Sequence, residues 1–273
     1  MELGGKLEAK DDVSTTDDKT SHGILTLELA EHCIHGALVG KQVLNKGTSV
    51  LQKRNITSEN TLYAQSVCPD EINHEGTEIT NLLTAYFGKV FHLGGLAGIP
   101  FTGRIGFGAF SAHVPDDGNL FILWATQVGI TPTDHLGTYE RQGQQHREGA
   151  ACGEAVGALH QCLCGKVREE WTWDPAELQM NYIIHENSPC CKRMMEMGSE
   201  KQRSAGLALE TWKIAKKMLD EIKNTRFGGE HSKLNVLSGI QVGQAWRNRK
   251  HATDESKLTL RCPFSGQHAT SNV

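Results

Sequence analysis

Residues Asn119 to Ile130, NLFILWATQVGI, form a nearly unbroken apolar run. Read as a strand, the run points side chains alternately to two sides, and both sides are apolar. A sheet containing it must be covered on both faces, which excludes a sheet with one wet face. The rest of the chain supplies the cover. Further strands are predicted at Thr61–Val67, Lys89–Leu93 and Leu234–Val242. Helices are predicted at Ser21–Leu51, Glu78–Phe87, Ala150–Cys164, from Asp174 and Pro175 onward, and at Ser204–Phe227. In the last of these, Leu207, Leu209, Trp212, Ile214, Met218, Leu219 and Ile222 make one broad face before Gly228 and Gly229 end it. Alternating strands and helices give an α/β fold, a three-layer sandwich around a mixed, partly parallel sheet. Residues 1–20, polar and acidic, read as a disordered tail, and 21–273 as a single domain without repeats or a linker.

Composition narrows the function. Lys plus Arg number 28 and Asp plus Glu 32, a net charge of −4. That argues against nucleic-acid binding driven by phosphate neutralisation. No apolar run approaches the roughly 18 residues of a membrane span. The first twenty residues show neither an apolar leader nor an Arg-rich, acid-poor transit composition, so the chain alone reads as cytosolic. Eight cysteines in a reducing compartment are expected as thiols rather than disulfides.

Several motifs are missing. The glycine-dense stretch 92–110, HLGGLAGIPFTGRIGFGAF, contains neither G-x-G-x-x-G nor a P-loop, and no G-x-S-x-G elbow occurs. Its glycines are expected to serve tight packing. Cys162-x-Cys164 and Cys190-Cys191 lack partners at zinc-finger spacing and lack C-x-x-C, which leaves a redox role the weakest reading.

Three positions remain, each where a strand or loop should meet a helix. Cys68 closes a predicted strand, with Asp70 two residues on. His113 follows the glycine-rich run and precedes the turn Val114-Pro115-Asp116-Asp117-Gly118. Cys152 sits just inside a predicted helix. Sites in open α/β sheets gather at the carboxyl ends of strands, and helix N-termini favour thiolate. Two thiolates and one imidazole are an accepted catalytic zinc set, with a fourth position open. The gaps of 45 residues (68 to 113) and 39 (113 to 152) do not by themselves bring the three together.

The segments CPDEIN (68–73), GGLAGIPFTGRIGFGAFSAHVPDDGN (94–119) and GAACGEAVGA (149–158) resemble the limiting-CO2-inducible protein B family, which includes the theta-class carbonic anhydrases of algae and diatoms. The resemblance spans roughly residues 60–245. It implies a fold like that of beta-class carbonic anhydrases and reversible hydration of CO2 to bicarbonate. It implies Zn2+ on Cys68, His113 and Cys152, and an Asp–Arg dyad beside the metal. Asp70 matches the Asp of the beta-class C-x-D-x-R motif, but Ile72 stands where that motif has Arg. Arg104 in FTGRIGF is taken as the dyad's cation, with Arg141 as runner-up. His74 and His92 are candidates for passing protons, and Phe87 and Phe107 for the CO2 pocket wall. The resemblance further implies a homodimer or higher oligomer, with a paralogue as an alternative partner, and a plastid location. Two alternatives share the residues: a catalytically silent zinc-binding scaffold, and a zinc hydrolase with a roomier polar pocket.

Overall fold

A computed structural model describes residues 38–74, 78–114, 117–131, 136–141, 148–164, 176–195, 200–223, 232–244 and 259–260. The predicted tail, the first part of the predicted helix 21–51, and Pro175 lie outside these residues. Helix α1 is Gly40–Lys53, and strand β1 Thr61–Ser66. After a 3-10 turn at Glu71–Asn73 come α2, Ile79–Phe87, and β2, Phe91–His92. A second 3-10 turn, Leu96–Gly98, leads to α3, Gly103–Ser111, and then to β3, Asn119–Ile130. A small hairpin of β4, Thr138–Glu140, and β5, Glu148–Ala150, precedes α4, Gly153–Leu163. Helices α5, Leu178–Met195, and α6, Glu200–Lys223, lead to β6, Lys233–Gln244, and β7, Thr259–Leu260.

The main sheet has the order β2-β1-β3-β6-β7. Its first four strands are parallel, and β7 pairs antiparallel to β6, so the sheet is mixed as expected. Every residue of β3 is buried. Alternation then sorts the core. Phe121, Leu123 and Ala125 pack with Val43 and Leu51 of α1 and Ile79, Leu83 and Phe87 of α2. Leu120, Ile122, Trp124, Val128 and Ile130 pack with Phe107 and Phe110 of α3, Ala155 and Leu159 of α4, Ile183 of α5 and Trp212 of α6. Trp124 stacks on Trp212 with ring centres 5.1 Å apart. The three layers are therefore α1–α2, the sheet, and α3–α6.

One feature departed from expectation. Glycine-rich residues 103–111 form helix α3, although Gly costs about 1 kcal/mol relative to Ala inside a helix. Tertiary burial of Phe107 and Phe110 offsets that cost. The 3-10 turn before it needs glycine for another reason. Gly98 has φ +79°, and a Cβ there would lie 2.2 Å from the carbonyl oxygen of Ala125. The turn is thereby drawn onto β3, and Ser66 Oγ donates to the Gly98 carbonyl at 2.9 Å.

Candidate active site

The site forms where the carboxyl ends of β1 and β3 meet the start of α4. Cys68 lies two residues past the end of β1, and Cys152 immediately before α4. Both are 3% exposed, and their Sγ atoms lie 3.8 Å apart. Hydrogen bonding to Cys152, burial and the Cys152 charge all push the Cys68 thiol up. Donation from Cys68, opposed by burial, together with the N–H groups of Ala155 and Glu154, holds Cys152 down. The two thiols share a hydrogen bond, and the helix N-terminus beside Cys152 favours negative charge there. A thiolate at a helix N-terminus is what the amide groups there favour.

Asp70 stands beside the thiols with its side chain 12% exposed. Arg141 Nη2 bridges both carboxylate oxygens, at 3.1 Å to Oδ1 and 2.9 Å to Oδ2. Arg141 Nε donates to Glu71 at 2.7 Å and Nη1 to the Ala150 carbonyl at 3.2 Å, which ties the dyad to the segment carrying Cys152. The guanidinium also lies 5.7 Å from the centre of the Tyr139 ring. Burial pushes the Asp70 carboxyl up. Hydrogen bonding with Glu71, the Arg141 charge and donations from Gln127 and Arg141 outweigh that, and the carboxyl sits below its ordinary value.

Gln127 is the residue that sequence reasoning missed. It is 4% exposed on β3, and its Nε2 donates to Asp70 Oδ2 at 2.9 Å. Its Oε1 accepts from Asn73 Nδ2, which also donates to the Cys68 carbonyl at 3.0 Å. A signal was present: a glutamine inside a strand buried on both faces must find polar partners.

His113 and Arg104 require correction. His113 is exposed and precedes β3. The cysteines lie at the other end of the strands: Thr61 pairs with Asn119, and Cys68 follows seven residues later, roughly 23 Å of strand away at 3.3 Å per residue. Arg104 is exposed on α3 and takes no part in the contacts of Asp70. Arg141, the runner-up, does.

His74 is half-buried, and that burial keeps its pKa low. His92 is exposed, with Nδ1 3.2 Å from Gln65 Nε2. Phe107 is fully buried in the core, and Phe87 stacks with Tyr63 at 5.2 Å. Cys164 is exposed, while the side chains of Cys162, Cys190 and Cys191 lie outside the described residues.

Comparison with known proteins identifies the scaffold. The family model of limiting CO2-inducible proteins B/C beta carbonic anhydrases matches residues 37–256. The chain belongs to this family. No curated protein matches it. Among solved structures, PtLCIB4, a homolog of the limiting CO2-inducible protein LCIB, is 26% identical with a TM-score of 0.73, covering 86% of this chain and 92% of that one. A histidine-to-alanine point mutant of PtLCIB4 is 24% identical at TM-score 0.75, over 86% and 91%. LCIB itself is 14% identical at TM-score 0.59, over 84% and 89%, a likeness of fold. Family membership supports a carbonic-anhydrase-type function for the chain.

The zinc set implied by the LCIB resemblance can be tested against these donors. Two thiolates at 2.3 Å on a tetrahedral zinc stand about 3.8 Å apart, the separation of Cys68 and Cys152. The remaining donor does not fit. Catalytic zinc takes three protein ligands, and among the described residues no group of three His, Cys, Asp or Glu is placed to hold a metal ion. Cys68 and Cys152 are two of the expected ligands, and His113 does not join them.

Gly129 allows the cysteine segment to approach. A Cβ there would lie 2.5 Å from the Thr138 carbonyl oxygen and 2.7 Å from Ala151 Cβ. Gly129→Ala should push the Ala151–Cys152 segment away from β3. A loss of about 1–3 kcal/mol is expected from such overpacking, with weaker zinc uptake. Thermal melting and a zinc titration of the same preparation check both.

Proposed function

We propose that this LCIB-family chain acts on CO2 and bicarbonate at the Cys68–Cys152–Asp70 site, in reversible hydration, with Cys68 and Cys152 the side chains that would hold Zn2+ there. The observation that carries the reading is the buried thiol pair at a zinc-compatible separation, with an Asp–Arg dyad beside it. In this reading Asp70 stays ionised because Arg141 and Gln127 hold it so. Its carboxylate is then an acceptor for a substrate hydroxyl, as bicarbonate presents. Arg141 keeps Asp70 turned outward and off the thiols. His74 is held neutral next to this group and is the candidate for passing a proton. The family further suggests work in a plastid, as a dimer or higher oligomer.

A second reading is favoured by the misplaced third ligand. A site with two thiols and no imidazole suits a catalytically silent member of the same family. One experiment separates the two. The full chain is purified without chelator, its zinc is measured by elemental analysis, and CO2 hydration is followed by stopped flow with and without dipicolinate. Chelator-sensitive hydration supports the enzyme. Bound zinc without hydration supports the silent scaffold, and a zinc-free chain that still hydrates CO2 removes the metal from the reading.

A further inference from the structure

The elements that carry the thiols close on one strand position. Gln127 reaches Asp70 and Asn73 on the loop that begins at Cys68. Two residues further along β3, on the same face, Gly129 lies against Ala151 and its N–H donates to the Ala151 carbonyl at 3.0 Å, next to Cys152. Position 127 is thus flanked by both thiol segments. It is buried and lies at the carboxyl end of β3, where an α/β sheet gathers its site residues. A neutral primary amide is absent from the common zinc ligands, which are thiolate, imidazole and carboxylate. This amide is also engaged at both ends: its Nε2 serves Asp70, and its Oε1 serves Asn73.

We infer that position 127 is the third corner of the metal site, and that Gln127 withholds from this chain the protein ligand that would complete it. The inference rests on the zinc reading above and goes beyond it, because it names the residue that sets metal affinity. It accounts for a chain that keeps two thiols and an Asp–Arg dyad yet gathers no third ligand among its described residues. As it stands, the described residues would offer a metal ion the two thiols and no third protein ligand. Converting the amide to an imidazole should complete a three-ligand set.

The test uses the full-length chain, Gln127→His and Gln127→Ala, each titrated with zinc against a chromophoric chelator and separately with Co2+. Gln127→His should bind zinc at least about 100-fold more tightly than the native chain, since a ligand in direct contact should outweigh the 10–100-fold typical of outer-shell partners. Its Co2+ form should show the intensified visible bands of a tetrahedral centre. A further Cys152→Ala change should abolish the gain. Should Gln127→His fail to fold, Gln127→Ala offers a second route. Added imidazole should then enter the vacated space and shift the Co2+ bands of that variant and not those of the native chain. Unchanged zinc affinity in a folded Gln127→His overturns the inference, as does an imidazole response equal in Gln127→Ala and the native chain. Absence of any Cys68-dependent zinc binding in both the native chain and Gln127→His overturns the metal reading and the inference with it. Intact native binding without a gain from His overturns the inference alone.

Discussion

Cys68→Ala and Cys152→Ala are each expected to lose bound zinc, with affinity falling at least about 100-fold, beyond the range of outer-shell changes. The effect should be larger here than in a site with three protein ligands, because the two thiols are the only ligating side chains that the described residues bring together there. The two variants should also differ. The N–H groups of Ala155 and Glu154 favour charge on Cys152, and burial and the neighbouring Cys152 push Cys68 up. In the metal-free protein, Cys68→Ala removes the hydrogen bond the two thiols share, so the remaining thiol should ionise at higher pH than Cys152 does in the native pair. Thiolate absorbance near 240 nm against pH measures this directly, and zinc content by elemental analysis measures the first effect. Stoichiometric zinc retained in either alanine variant would remove that cysteine from the site.

Arg141→Ala is expected to lower CO2 hydration by about 10²- to 10³-fold, the range for removing one preorganised electrostatic group. Arg104→Ala should leave the rate within about twofold, because Arg104 is exposed and does not touch Asp70. The pH dependence gives the sharper test. In the native protein the Asp70 carboxyl titrates below its ordinary value. Its contribution to stability is therefore fully present above the unfolded value of about 3.9 and is lost as pH falls through the lower folded value. Without Arg141, the burial that pushes Asp70 upward is no longer opposed by the guanidinium charge, and Gln127 remains as a donor to the carboxylate. The carboxyl should then protonate at higher pH, and the acid limb of both stability and activity should move up with it. Carboxyl NMR titration of Asp70 in native protein and Arg141→Ala measures that movement even if turnover proves undetectable. Equal Asp70 titration in the two proteins would dismiss Arg141 as the dyad's cation.

The parts of this protein visible in its sequence are those that depend on local pattern. Asn119–Ile130 reads as a doubly buried strand because a strand covered on both sides has no polar face to keep. The structure begins and ends it at the same residues. Cys68 and Asp70 share one short loop, so their proximity follows from two residues of separation. Helix α3 was hidden for the opposite reason. Gly103, Gly106 and Gly108 lower its intrinsic propensity, and only the burial of Phe107 and Phe110 against the sheet holds it. The hairpin of β4 and β5 was hidden as well, since three-residue strands carry too little alternation to register as a period.

Residue type identified the donors, but only the tertiary structure decided which of them meet. Cys152 is 84 residues from Cys68 and reaches it because the hairpin and Gly129 lay its segment on β3. His113 carries the expected imidazole, yet the direction of β3 puts it at the far end of the sheet from both thiols. Arg104 and Arg141 are chemically equivalent in sequence. Arg141 follows β4, whose pairing with β5 carries it to Asp70 and the Ala150 carbonyl, while Arg104 starts a helix that faces solvent there. Gln127 shows the division most clearly. A glutamine in a doubly buried strand must find polar partners, a signal the sequence carried without naming them. That those partners are Asp70 and the Cys68 loop follows from parallel strands ending side by side and presenting their last side chains to one another.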